Sequence, residues 1–140
     1  MKLYSLNSKH AKLLENYFKF VQHVAYDATE DYNSQKFDDF NEILVNIVHY
    51  ANQFRKMVKN EDRIAEWAYM MPNLMLYSGV GFLCGVRNNK NSQEIDKLSA
   101  SLYDETINLV GETSDILTDI RIRKDIKDKL LLKKTQKNEH

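Results

Sequence analysis

The apolar residues of this chain recur at helical spacing over most of its length. Leu13, Leu14, Tyr17, Phe18, Val21 and Val24 fall three and four apart, which predicts the buried stripe of an amphipathic helix. Asn7 or Ser8 precedes the stripe, where a side-chain oxygen can accept from the unpaired N–H groups of a first turn. Tyr26 to Lys36 is polar and aperiodic and reads as a connector or a frayed helix end. A second stripe is cleaner: Phe37, Phe40, Leu44, Ile47, Ala51, Phe54 and Val58, widened by Ile43, Tyr50 and Met57. Its width and aromatic content suit a globular bundle better than a two-stranded coiled coil.

Asn60, followed by Glu61 and Asp62, marks a third helix start, because carboxylates in a first turn face the positive end of the helix dipole. Pro72 interrupts that helix or opens its second half. A fourth helix is expected from Asn91-Ser92-Gln93-Glu94, with Ile95, Leu98, Leu102, Leu109 and Val110 on its apolar face. Gly111 should end it, and Thr113 or Ser114 should cap a last helix holding Ile116, Leu117, Ile120, Ile126 and Leu130 inward. Lys133 to His140 carries no apolar residue and reads as a disordered basic tail over 133–140. The expected fold is all-α: one domain over residues 1–132, a bundle of about five to six helices around a central buried helix.

Composition narrows what such a bundle can do. The 140 residues support one core and not two. Twenty Lys+Arg balance twenty Asp+Glu, so the whole molecule is not a nucleic-acid binder held by bulk charge. Any basic work must be local. Between Asp27 and Glu42 there are six acids against one Lys, whereas Asp119 to Lys137 holds eight Lys+Arg against three Asp. The bland reading is two solvated surfaces; the sharper one is complementary ends on identical copies, able to associate head to tail. A single cysteine, Cys84, rules out an intramolecular disulfide, and with no cleavable signal sequence evident it points to a cytoplasmic protein.

Catalytic chemistry is thin. His10, His23, His49 and His140 form no H-E-x-x-H or Glu-x-x-His pattern, and Glu42 with His49 supplies only two donors, so no metal is expected. Cys84 sits in an apolar stretch with no neighbouring His, Lys or Arg and reads as a buried, inert thiol. Gly79, Gly81 and Gly85 fit neither the dinucleotide fingerprint nor the P-loop. Gly81 and Gly85, four apart, instead suggest a face where another helix comes close. The expectation is a non-enzyme without cofactor. Ala68 to Val86 is nineteen residues without a charge, which raises a single membrane span as one reading. Pro72, Asn73 and Ser78, and the amphipathic helices on either side, favour a fully buried core helix.

Within that stretch, Met71-Pro72-Asn73-Leu74-Met75-Leu76-Tyr77-Ser78-Gly79-Val80-Gly81-Phe82-Leu83-Cys84-Gly85-Val86 resembles a motif of the small helical subunit of type III-B CRISPR effector (Cmr) complexes. The resemblance extends to a following helix with a Leu-Tyr step, here Leu102-Tyr103, and covers about Met71 to Val110. Ser78 stands where that family often has Asn. The resemblance implies that Pro72 and Gly79 fix the start and the close packing of a central helix. It also implies a non-catalytic subunit, stacked in copies beside other effector subunits and touching the backbone of crRNA and target RNA. Sequence readout in such assemblies is delegated to guide pairing, so the subunit needs only cations at phosphate height. The candidates are Arg55, Lys56, Lys59 and Arg63; Arg87 and Lys90; and Arg121, Arg123, Lys124 and Lys127. Tyr17, Phe18, Phe40, Phe54, Trp67 and Phe82 fall at core spacings, which argues against a base-stacking platform. An alternative reading is a small helical protein-binding module or inhibitor encoded by a mobile element, acting through Asp31, Asp38, Asp39 and Glu42.

Overall fold

The computed structural model describes residues 3–29, 34–87 and 92–138. Among them the architecture is all-helical: α1 (Ser8–Thr29), α2 (Gln35–Met57), a 3-10 turn (Glu61–Arg63), α3 (Ile64–Val86) and α4 (Ser92–Asn138). Local chemistry sets the starts. The Asn7 side-chain oxygen accepts from the His10 N–H at 2.9 Å, Ser34 Oγ accepts from Phe37 N–H at 3.0 Å, and Asn60 Oδ1 accepts from Asp62 N–H at 3.0 Å. The polar connector is shorter than its composition suggested, because α1 runs on to Thr29 and α2 already begins at Gln35.

One core joins all four helices. Leu14, Val21, Leu44, Val48, Met75 and Leu102 are among its most deeply buried side chains. A satellite cluster of Val58, Trp67 and Ala68, with Leu117 and Ile64 against it, closes the corner where α2 turns into α3. Tyr4 N–H donates to Asn52 Oδ1 at 3.3 Å and ties the N-terminal segment to that corner. The seam of α2 runs through Phe37, Phe40, Leu44, Val48 and Ala51. Ile43, Tyr50 and Met57, expected to widen it, are exposed.

The helix count differs from expectation for one reason. Gly111 does not end a helix, and Thr113 is not a cap but a fully buried interior residue, so the fourth and fifth expected helices are one of 47 residues. An interior glycine costs only about 1 kcal/mol relative to alanine, less than the burial of Leu109 and Ile116 on either side returns. The same helix continues through Lys133 to Asn138, where a disordered tail was expected; residues 139–140 lie outside the described residues.

Helix α3 is central, packing against the other three, but it is not buried all round. Trp67, Met71, Met75, Gly79, Leu83 and Val86 face inward, while Asn73, Tyr77, Gly81, Cys84 and Gly85 are exposed along the other side. Cys84 is therefore an exposed thiol and not a buried one. Pro72 lies inside α3 and does not open a helix. The missing N–H forfeits one helical bond, but buried Met71 and Met75 hold the chain on both sides and the helix runs on. Close approach occurs at Gly79, where a Cβ would stand 2.6 Å from Leu102 Cδ2; at Gly81 and Gly85 it would meet nothing within 4 Å. Among the described residues no helix is long and apolar enough to cross a membrane.

Candidate nucleic-acid interface

α3 and α4 run antiparallel, with contacts marking successive levels along them. Arg87 Nη2 lies 3.3 Å from Asp96 Oδ1 at one end. Gly79 meets Leu102 further along. The Tyr69 and Ser114 hydroxyls are 2.7 Å apart towards the other end. There Leu117 packs on the α2–α3 corner. Past it, α4 leaves the bundle as an arm. Residues 118–135 are all exposed, and the helix from Thr118 to Asn138 is roughly 30 Å long at about 1.5 Å per residue.

This topology brings two of the three expected basic sets to one end of the molecule. Arg55, Lys56, Lys59 and Arg63 surround the α2–α3 corner, and Arg121, Arg123, Lys124 and Lys127 project from the arm that starts beside it. Arg87 lies at the far end, held by Asp96, and so is not part of this surface. Lys90 lies outside the described residues.

The corner cations are engaged with the chain's own aromatic rings. The Arg55 guanidinium carbon is 5.2 Å from the centroid of the Trp67 ring, Lys56 Nζ is 5.8 Å from that of Tyr4, and the Arg63 guanidinium carbon is 5.3 Å from that of Phe54. Such contacts hold a cation in place without neutralising it. Arg63 also reaches Glu66 at 3.4 Å. On the arm, Arg123 pairs with Asp119 at 2.9 Å. Lys59, Arg121 and Lys127 are exposed and form no ion pair among the described residues. The surface thus combines three cations free to meet an anion with three fixed on aromatic rings. Trp67 is buried there and the Tyr4 and Phe54 rings are half-buried beneath cations, while Tyr50, one turn before Phe54 on α2, is exposed.

Sequence periodicity missed part of this end. Lys129, Lys133 and Lys134 extend the basic arm. Ile120, Ile126 and Leu130 were expected inward and are instead 39%, 55% and 60% exposed, because the helix outruns the bundle that would cover them. Among the described residues no three His, Cys, Asp or Glu side chains converge on a point that would hold a metal ion. The chain matches no protein-family profile, no curated protein and no solved structure.

Proposed function

We propose that this protein is a non-catalytic helical subunit of a ribonucleoprotein assembly, gripping RNA phosphates with its basic end. The assembly class to which the Met71–Val86 segment points is the type III CRISPR effector, in which the chain would stack beside guide-loaded subunits in the cytoplasm. The single observation that carries the reading is that the α2–α3 corner and the α4 arm bring their cations to one end of the bundle. A helix lined with Arg and Lys presents positive charge to a phosphate backbone without reading bases. Buried Gly79 against Leu102 adds support, since the two pieces of the resembling segment meet there.

The test is RNA binding across a salt series. The isolated protein binds single-stranded RNA weakly, with affinity falling steeply as salt rises. Lys59→Ala, Arg121→Ala and Lys127→Ala each weaken binding equally for unrelated sequences and reduce the log–log salt slope by about 0.7. Salt-independent or sequence-selective binding would refute backbone gripping. Co-expression with guide-loaded type III subunits then tests the assembly class: exclusion from the purified particle would remove it. Loss of a protein partner on replacing Asp38, Asp39 and Glu42, with RNA binding intact, would favour the inhibitor reading; Asp31 lies outside the described residues.

A further inference from the structure

Two surfaces of the molecule have no intramolecular partner among the described residues, and they lie at opposite ends. The first is the arm. Ile122, Ile126 and Leu130 repeat at four-residue spacing, a row along one side of α4, and are 52%, 55% and 60% exposed. Arg123, Lys129 and Lys133 border that row. Among the described residues nothing covers it.

The second is a cleft of about 400 Å³ between the start of α2 and the end of α3, walled by Phe40, Ile43 and Phe82 and floored by Gly81 and Gly85. Asp39 stands at its edge with Lys36, and Glu42 is exposed on the adjoining surface of α2. Without side chains on the two glycines the floor is open, since a Cβ at either would touch nothing. Ile43 is 47% exposed on one lip, and Tyr77, one turn before Gly81, is 73% exposed.

α3 separates the two surfaces. The cleft is at the Arg87–Asp96 end, whereas the arm departs beyond Tyr69 and Ser114. One continuous helix, pointing away from the cleft, cannot fold back into it. The occupant must come from another molecule.

We propose that the arm of one copy lies in the α2–α3 cleft of a second copy, with Ile122, Ile126 and Leu130 over the glycine floor and Arg123 and Lys129 towards Asp39 and Glu42. This is the helix-in-groove mode of recognition, and its charges are complementary: the arm from Asp119 to Lys134 carries seven Lys+Arg against three Asp, and the start of α2 carries Asp38, Asp39 and Glu42 against Lys36 alone. Two arms pairing with each other would set those cations against their like, which costs free energy instead of gaining it. Because each copy offers a different surface at each end, the contact is heterologous and propagates head to tail. Arg121 falls on the opposite side of the arm and stays open to RNA. The proposal stands without the RNA reading, since its test contains no RNA.

The test mixes two full-length, nuclease-treated variants and weighs them by light scattering and sedimentation. Gly81→Leu fills the cleft and leaves the arm intact; Ile126→Asp spoils the arm and leaves the cleft intact. Both positions are exposed, and circular dichroism verifies that each variant folds. The unaltered protein gives masses that grow with concentration and fall with added salt. Each variant alone stays monomeric, and the equimolar mixture forms a dimer that grows no further. A monomer at every concentration for the unaltered chain overturns the proposal. So does assembly that survives Gly81→Leu but not Ile126→Asp, which would mean arm pairs with arm.

Discussion

At the scale of single residues, His10 sets a pH limit on the fold. It is fully buried at the start of α1, and its Nδ1 accepts from the Leu6 N–H at 3.2 Å. The neutral ring therefore carries its proton on Nε2, which is buried without a partner. Burial holds the imidazole pKa down to about 4. The unfolded chain, near its ordinary value of about 6.5, takes up the proton first. His10 thus adds no pH dependence above about pH 6.5, and the native state loses ground as pH falls from there to about 4, by on the order of 3 kcal/mol when complete. Urea midpoints of the unaltered protein should drop over that window, and His10→Gln should flatten the drop; equal slopes in the two proteins would exclude His10 as the cause. Tyr17 makes a second case. The Thr106 hydroxyl donates to the Leu102 carbonyl at 2.6 Å, so the Tyr17 phenol gives its proton to Thr106 Oγ1 at 2.8 Å, with the Pro72 carbonyl at 3.3 Å beside it. Burial raises its pKa to about 12, so it remains a donor at any working pH. Tyr17→Phe leaves that cluster short of a donor and should lower unfolding free energy by about 1 kcal/mol, read from the denaturant midpoint at constant m-value.

At the scale of the helix, α3 separates what periodicity can reveal from what it cannot. Its apolar character and its place against the other helices were legible, because no soluble helix carries nineteen uncharged residues without burying one side. Which of its glycines sits at a helix contact was not legible from spacing, although the resembling motif implied close packing at Gly79. The pattern pointed to Gly81 and Gly85, four apart, and the contact falls at Gly79, because spacing fixes a face of the helix but not the neighbour that face will meet. The distinction has opposite consequences two residues apart. Gly79→Ala pushes a methyl into Leu102, which is itself fully buried, and overpacking of about 1–3 kcal/mol outweighs the roughly 1 kcal/mol of helix propensity gained. Gly81→Ala has the propensity gain alone and should stabilise the fold by about 0.5–1 kcal/mol. Thermal melts that moved both variants in the same direction would mean that the Gly79–Leu102 contact does not govern the packing of α3 on α4.

At the scale of the molecule, the separation of charge was legible from sequence and the arm that displays it was not. Counting acids and bases located both ends, whereas the continuity of α4 depends on Gly111 being tolerated in a helix that the core grips on either side. The grip stops at Leu117. Most of a helix's stability in a protein comes from tertiary packing, which the arm lacks, and i,i+4 pairs such as Asp119–Arg123 contribute only a few tenths of a kcal/mol. Amides of the arm beyond Ile120 should therefore exchange with solvent far faster than those of Ile95 to Ile116, which open only with the core. Raising the protein concentration supplies arm and cleft to each other, and hydrogen exchange followed by mass spectrometry should show two regions slowing together: the arm peptides spanning Ile122 to Leu130, and those of the cleft, Phe37 to Ile43 and Ser78 to Gly85. Protection of the arm without the cleft would assign it to another surface. Protection of the arm in dilute monomer would mean that the helix holds itself, and that no second molecule is required to keep it formed.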